Sequence, residues 1–185
     1  NDLSYVLLRL HLLGYLAVIF PEFESLVSQT KWDIHHRYTL DFHALKTLEL
    51  LDKLMFGKAL NVRESKVRQS IEKPFDWIRS RGLLRALRLA LLLHTLYQVQ
   101  PDSADRILER LSVTPRDVEL VQWLLRHQDR LIQLMRHGGF FDGEVLSDFV
   151  EKELKRDYDR WTLLLTFTLI QSYHLRPERF YIYEQ

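Results

Sequence analysis

Three of the eight histidines fall on apolar stripes at helical spacing. His43 shares a face with Leu40, Thr47, Leu50 and Leu54, His94 with Leu87, Ala90 and Leu91, and His127 lies among Leu120, Leu124, Leu131 and Leu134. Neutral imidazole is the commonest protein ligand for transition metals, so three inward histidines on three helices point to a metal site in a bundle core. A hydrolytic metal centre needs carboxylates as well, to offset the ion's charge and to orient the bound water. None stands beside His94, which closes the run LALLLH and is followed by Thr95. The apolar segment WTLLLTFTLIQSY (161–173) has no acid at all. Taken singly, each histidine reads more readily as a core imidazole bonded to a backbone carbonyl than as a ligand.

The elements that position these residues are helical throughout, and a short strand signal, FYIY, is confined to Phe180–Tyr183. Periodicity and punctuation predict a first helix from Leu3 to Phe20, ended by Pro21, then an irregular stretch reaching Tyr38. A second helix starts at Thr39–Asp41, whose side chains can cap it, and ends with Gly57 as its C′ residue. Residues 58–73 are charged and weakly patterned, a short helix or a connector. Pro74 opens a third helix running to Tyr97 with a break at Gly82, and Pro101 and Pro115 mark two further starts. The Pro115 helix continues to Arg136, HGGFFDG (137–143) is a loop, and helices over 144–156 and 157–173 close an all-α bundle. Phe140 and Phe141 in that loop, and Trp32, Phe42 and Phe56 around the second helix, are either plugs of the bundle end or a docking patch.

Composition narrows the function. The 185 residues carry 26 Lys and Arg against 25 Asp and Glu, a net charge of +1, which argues against a nucleic-acid surface. Arg79, Arg81, Arg85 and Arg88 cluster at helical spacing and read as a solvated face. With no cysteine, disulfides and thiolate chemistry are excluded, and a cytoplasmic protein is expected. The apolar runs are too short for a membrane span, and Arg9 and His11 make the N-terminal run an amphipathic helix and not a signal peptide. Without an initiating Met, the sequence reads as a piece of a longer chain.

One stretch is specific. DIHHRYTLDFH (Asp33 to His43) resembles the opening of the HD domain of the bifunctional uridylyltransferase/uridylyl-removing enzymes of bacterial nitrogen regulation, with Asp33, His36, Tyr38, Thr39, Asp41 and His43 matching a D-x-x-H-x-Y-T-x-D-x-H pattern. LLGYLAVIFPEFESLVSQ before it, and VELVQWLLRH, GEVLSDFVEKEL and LLLTFTLI after it, are similar to their family counterparts, so the likeness runs from about Leu8 to Ile170. It implies an HD-like helical bundle over 31–176, preceded by a connecting helix and PEF segment (1–30) and followed by a tail (177–185). It also implies where a divalent ion would sit. The first histidine ligand falls on His43 and the second on His94, the aspartate paired with it on Thr95, and the distal aspartate on Leu169. The family's lysine is Gln98, its glycine-rich loop with a further histidine is reduced to QVQPDSAD, and the histidine of the next long helix is represented by His127 beside Gln128.

Thr95 and Leu169 remove two negative charges from a site for a dication, and two remaining imidazoles bind metal weakly. The expectation is therefore a catalytically inactive HD-like domain without cofactor, serving as a regulatory or scaffolding module of a larger nucleotidyltransferase-type protein. Its partners would be neighbouring domains, with no nucleic acid and no membrane. The alternatives are a divergent metal-dependent phosphohydrolase or uridylyl-removing enzyme, and a stand-alone helical interaction module.

Overall fold

The structure, a computed structural model, describes residues 3–29, 39–55 and 65–175, with side chains from 72 to 172 in the last span. Helices fill these spans: α1 (Leu3–Leu12), α2 (Tyr15–Ile19), α3 (Leu40–Met55), α4 (Ser65–Ser80), α5 (Leu84–Val99), α6 (Pro101–Arg110), α7 (Pro115–His127), α8 (Arg130–Arg136), α9 (Gly143–Asp148) and α10 (Tyr158–Leu175). A 3₁₀ turn over Pro21–Leu26 and a π turn over Phe149–Glu153 supplement them, and no strand occurs among the described residues. The architecture is all-α and consistent with an HD-like helical bundle. No helix among the described residues is long and apolar enough to cross a membrane. Asp33, His36, Tyr38, Trp32, Phe56, Gly57 and the FYIY segment lie outside the described residues, as do both expected domain boundaries.

Helix α5 is the axis of the bundle because its sequence is apolar nearly all round. Ala86, Leu87, Ala90, Leu91, Leu93 and Leu96 have no exposed surface, and α3 and α7 pack on either side of them. Helix α1 leans on α3, and α10 covers α3, α4, α7 and α8 with Leu163, Leu164, Phe167 and Ile170 wholly buried.

Several expected helices are divided. The first breaks at Gly14, whose φ of 77° is open to glycine at little cost, so α1 and α2 replace one helix reaching Phe20. Pro74 lies inside α4 and does not start a helix. Phe75 and Ile78 on the following turn are buried, and that packing carries the helix through a position where proline removes a hydrogen bond. The expected break at Gly82 is real, with φ 68° between α4 and α5. The Pro115 helix stops at His127 and resumes as α8. The segment expected as one helix over 144–156 gives way after α9 to the π turn, which seats Phe149 in the core.

Helix starts follow the local chemistry. Thr114 caps α7: its Oγ1 accepts from Asp117 N at 3.3 Å and donates to Asp117 Oδ2 at 2.6 Å. Asp142 accepts from Glu144 N and Val145 N, and Asp157 accepts from Asp159 N at 2.8 Å.

The arginine cluster is not a uniformly solvated face. Arg88 is largely covered and bonds Asp52 Oδ1 at 2.6 Å, while Asp52 Oδ2 accepts from Ser4 N at 3.1 Å, so one buried carboxylate joins α1, α3 and α5. Arg85 reaches Asp117, and Arg81 reaches Asp159 together with Arg116 and the Trp77 indole N–H. The break at Gly82 divides the cluster between the end of α4 and α5, so the four do not share one helical face, and a guanidinium on a long stem finds any carboxylate the fold buries within reach. Phe140 packs on the core and Phe141, next to it, is 96% exposed.

Candidate functional site

Helices α3 and α5 bring His43 and His94 together. Their ring centroids are 5.1 Å apart with the planes at 66°, and both side chains are buried. The packing that aligns them is apolar: Leu40, Ala44, Leu48 and Leu51 of α3 against Leu87, Leu91 and their neighbours on α5. The Nδ1 of His94 lies 2.7 Å from the carbonyl oxygen of Leu91. A carbonyl only accepts, so Nδ1 carries the proton, and in the neutral ring Nε2 carries the lone pair. The same arrangement, a ring held by its Nδ1–H on a backbone oxygen, orients metal-ligating imidazoles.

Among the described residues, neutral side chains stand beside the two imidazoles. Thr95, next to His94, is fully buried, and its hydroxyl has no hydrogen-bond partner among the described residues. From α10 it is Phe167 that meets His94, edge to face at 5.9 Å. Leu169 is half-buried, and two residues of an α-helix are separated by roughly 200°, which places it on another flank of α10 from Phe167. Thr168 between them is buried with an unpartnered hydroxyl.

Asp41, the acid of the opening motif, is turned elsewhere. Its Oδ2 lies 2.9 Å from His11 Nε2 of α1, and the His11 ring stands edge-on to Phe42 at 5.0 Å. Thr39 is half-buried, and its carbonyl accepts from the His43 backbone N at 2.8 Å. His127 makes its described contacts at the far end of α7. Its Nδ1 donates to the Trp123 carbonyl at 2.8 Å, its ring stacks on Trp123 at 4.5 Å, and its Nε2 stands 3.8 Å from Glu153. Glu153 also takes both prongs of Arg130. Gln98 of α5 and Gln128 are joined by a neutral bond, Gln98 Nε2 to Gln128 Oε1 at 3.1 Å.

Among the described residues no group of three or more His, Asp or Glu converges in a way that could hold a metal ion. Two imidazoles, a threonine and a phenylalanine do not offset a dication, and Asp41 Oδ2 already serves His11, so the described residues do not by themselves fit a catalytic divalent ion. What the arrangement can do is hydrogen-bond a neutral group, or simply hold three helices in register. Sequence reasoning missed Phe167, Thr168 and the His11–Asp41 pair. The signal for the pair is His11, a polar ring that interrupts an apolar run.

The charge chemistry of the molecule lies away from this centre. The hydrogen bonds from Arg110, at 2.7 Å to each oxygen, hold the Glu22 carboxyl below its ordinary range against a counteracting burial. Burial acts on Glu49 in the raising direction, but Lys46 and Lys53 outweigh it and lower that carboxyl.

The class that the fold and site define is thus an all-α bundle, consistent with an HD-like one, in which His43 and His94 meet between α3 and α5. The chain is similar to proteins named bifunctional uridylyltransferase/uridylyl-removing enzyme. It is 27% identical to that of Azospirillum brasilense over 97% of this chain and 29% identical to that of Rhodospirillum rubrum over 96% of it. Identity with that of Ruegeria pomeroyi is 25% over 77% of the chain. The chain spans about a fifth of the length of these relatives (19%, 19% and 16%). No family model matches it, and no solved structure matches it.

Proposed function

We propose that this chain is a catalytically silent HD-like domain of a larger, nucleotidyltransferase-type bacterial protein of the cytoplasm. It acts there as a regulatory or scaffolding module whose partners are the neighbouring domains. The observation that carries the reading is the His43–His94 pair: the two imidazoles meet across α3 and α5, while the residue beside His94 is Thr95 and the ring facing it from α10 is Phe167. A hydrolytic centre loses most of its affinity for a dication when its carboxylates become hydroxyls and hydrocarbon, and with the ion goes the activated water.

A second reading, a divergent uridylyl-removing or phosphodiester-cleaving enzyme, is favoured by the likeness to relatives bearing that name and by the retained imidazoles. One experiment separates the two. The purified protein is analysed for bound iron, manganese and zinc, then assayed with those ions against a uridylylated protein substrate and a chromogenic phosphodiester. The silent-domain reading expects well under one equivalent of metal and background turnover. About one equivalent, with turnover lost in His43→Ala and His94→Ala, establishes the enzyme.

A further inference from the structure

The outward face of α1 and α2 is apolar to a degree that the rest of the described surface is not. Among the described residues, nine of the fifteen large hydrophobic side chains that stand exposed fall between Leu3 and Val27, including Tyr5, Leu12, Leu13, Tyr15, Val18 and Ile19. Leu13 is 68% and Val18 74% exposed. The cation on α1 in this region, Arg9, is folded back onto Tyr5, with its Nε 3.1 Å from the hydroxyl. Isolated surface leucines are ordinary, but a contiguous group of this kind on a soluble domain marks an interface.

The inner attachment of α1 strengthens the point. Of its residues only Ser4 and Leu7 are buried, Leu8 and Leu10 pack half-buried on the core, and two polar links, Ser4 N to Asp52 and His11 to Asp41, add to the joining. A ten-residue helix is marginal without substantial apolar packing, and α1 turns more of its large apolar side chains outward than inward. Helix α2, five residues long, buries Leu16 alone.

We propose that the α1–α2 face is the surface on which the domain is held, and that its occupant is an apolar face of a neighbouring domain in the same polypeptide. The choice of occupant follows from length. Relatives that match nearly the whole chain are about five times as long, since it spans 19% of them, so further folded mass is tethered to this domain at high effective concentration. The proposal rests on the reading of the chain as one domain of a longer protein, and is independent of whether that domain hydrolyses anything.

Hydroxyl-radical footprinting of the full-length natural product tests it with internal standards. Tyr15 and Tyr158 are each 57% exposed in this fold, so a bare α1–α2 face labels both at similar rates. The proposal expects Tyr15 to be labelled about ten-fold more slowly than Tyr158 and Phe141, at all protein concentrations and without lipid. The double variant Leu13→Glu, Val18→Glu in the same full-length protein should raise Tyr15 labelling to that of Tyr158 while far-UV circular dichroism stays unchanged. Equal labelling in the unmodified protein overturns the proposal. So does protection that fades on dilution, which assigns the face to a second copy, or protection that appears only with phospholipid vesicles. If the natural product is no longer than this chain, the multidomain reading fails by its mass alone; turnover in the hydrolysis assay leaves the docking result untouched.

Discussion

His94 and Thr95 show how far a single pair of side chains can carry a functional argument. The histidine keeps the bond to Leu91 O that orients it, and the threonine beside it fills the volume without the charge. That His43 and His94 converge was legible from their stripes, because burial at helical spacing is a geometric statement. Which residue of α10 would face them was not, since aligning LLLTFTLI places the missing acid on Leu169 while packing brings Phe167 to His94. Helix register depends on the neighbours and not on the order of letters. Restoring the acids is the direct check. Thr95→Asp combined with Leu169→Asp should melt below the unmodified protein without metal, because a carboxylate at the fully buried position 95 costs several kcal/mol, on the order of 2–5. Manganese or zinc should recover several degrees of that loss and leave the unmodified protein unmoved. Thr95→Asp alone should account for most of the gain, because Leu169 lies on another flank of α10 from the ring that touches His94. If both proteins respond equally to metal, position 95 does not face the histidines.

Among the helices, starts were easier to read than ends. Pro101 and Thr114-Pro115 open α6 and α7 as their chemistry dictates, and Asp117 turns the Thr114 cap into a reciprocal pair. Replacing Thr114 by alanine removes both bonds and should cost about 1 kcal/mol, read as a lower midpoint in urea at unchanged slope. Pro74 misled, because the same residue type that starts a helix can be carried inside one when the next turn is anchored by buried Phe75 and Ile78. Gly14 also escaped notice as a divider: nothing crowds it, so only its positive φ demands glycine. Gly14→Ala should therefore destabilise by about 1 kcal/mol through backbone strain alone, with no change in the core, and a cost near zero would mean that α1 runs straight into α2.

Across the whole bundle, buried carboxylates decide which helices stay together, and none of these links was legible, since they join residues tens of positions apart. Asp52 ties Ser4 N and Arg88, so Asp52→Ala leaves a largely covered guanidinium and a backbone N–H without their acceptor. A loss of about 3 kcal/mol is expected by urea denaturation, with α1 amides exchanging first. Glu22 supplies a pH test of the clamp between the 3₁₀ turn and α6. Because Arg110 holds this carboxyl below its ordinary range, its contribution is present at neutral pH and is lost as pH falls through the lowered value. Glu22→Gln should therefore melt lower than the unmodified protein at pH 7, and the gap should narrow as pH falls below the ordinary glutamate range and through the lowered value. A gap that persists in acid would show that the side chain acts through packing and not charge. Asp159 carries a further implication, for kinetics. It receives Trp77, Arg81 and Arg116, which lie 82, 78 and 43 residues earlier in the chain. Helical proteins fold fast when contacts are local, and these are not. Helix α10 lies later in the sequence than α4 and α7 and must find both already in place. Refolding should thus show a lag between the appearance of helical signal and the burial of Trp77.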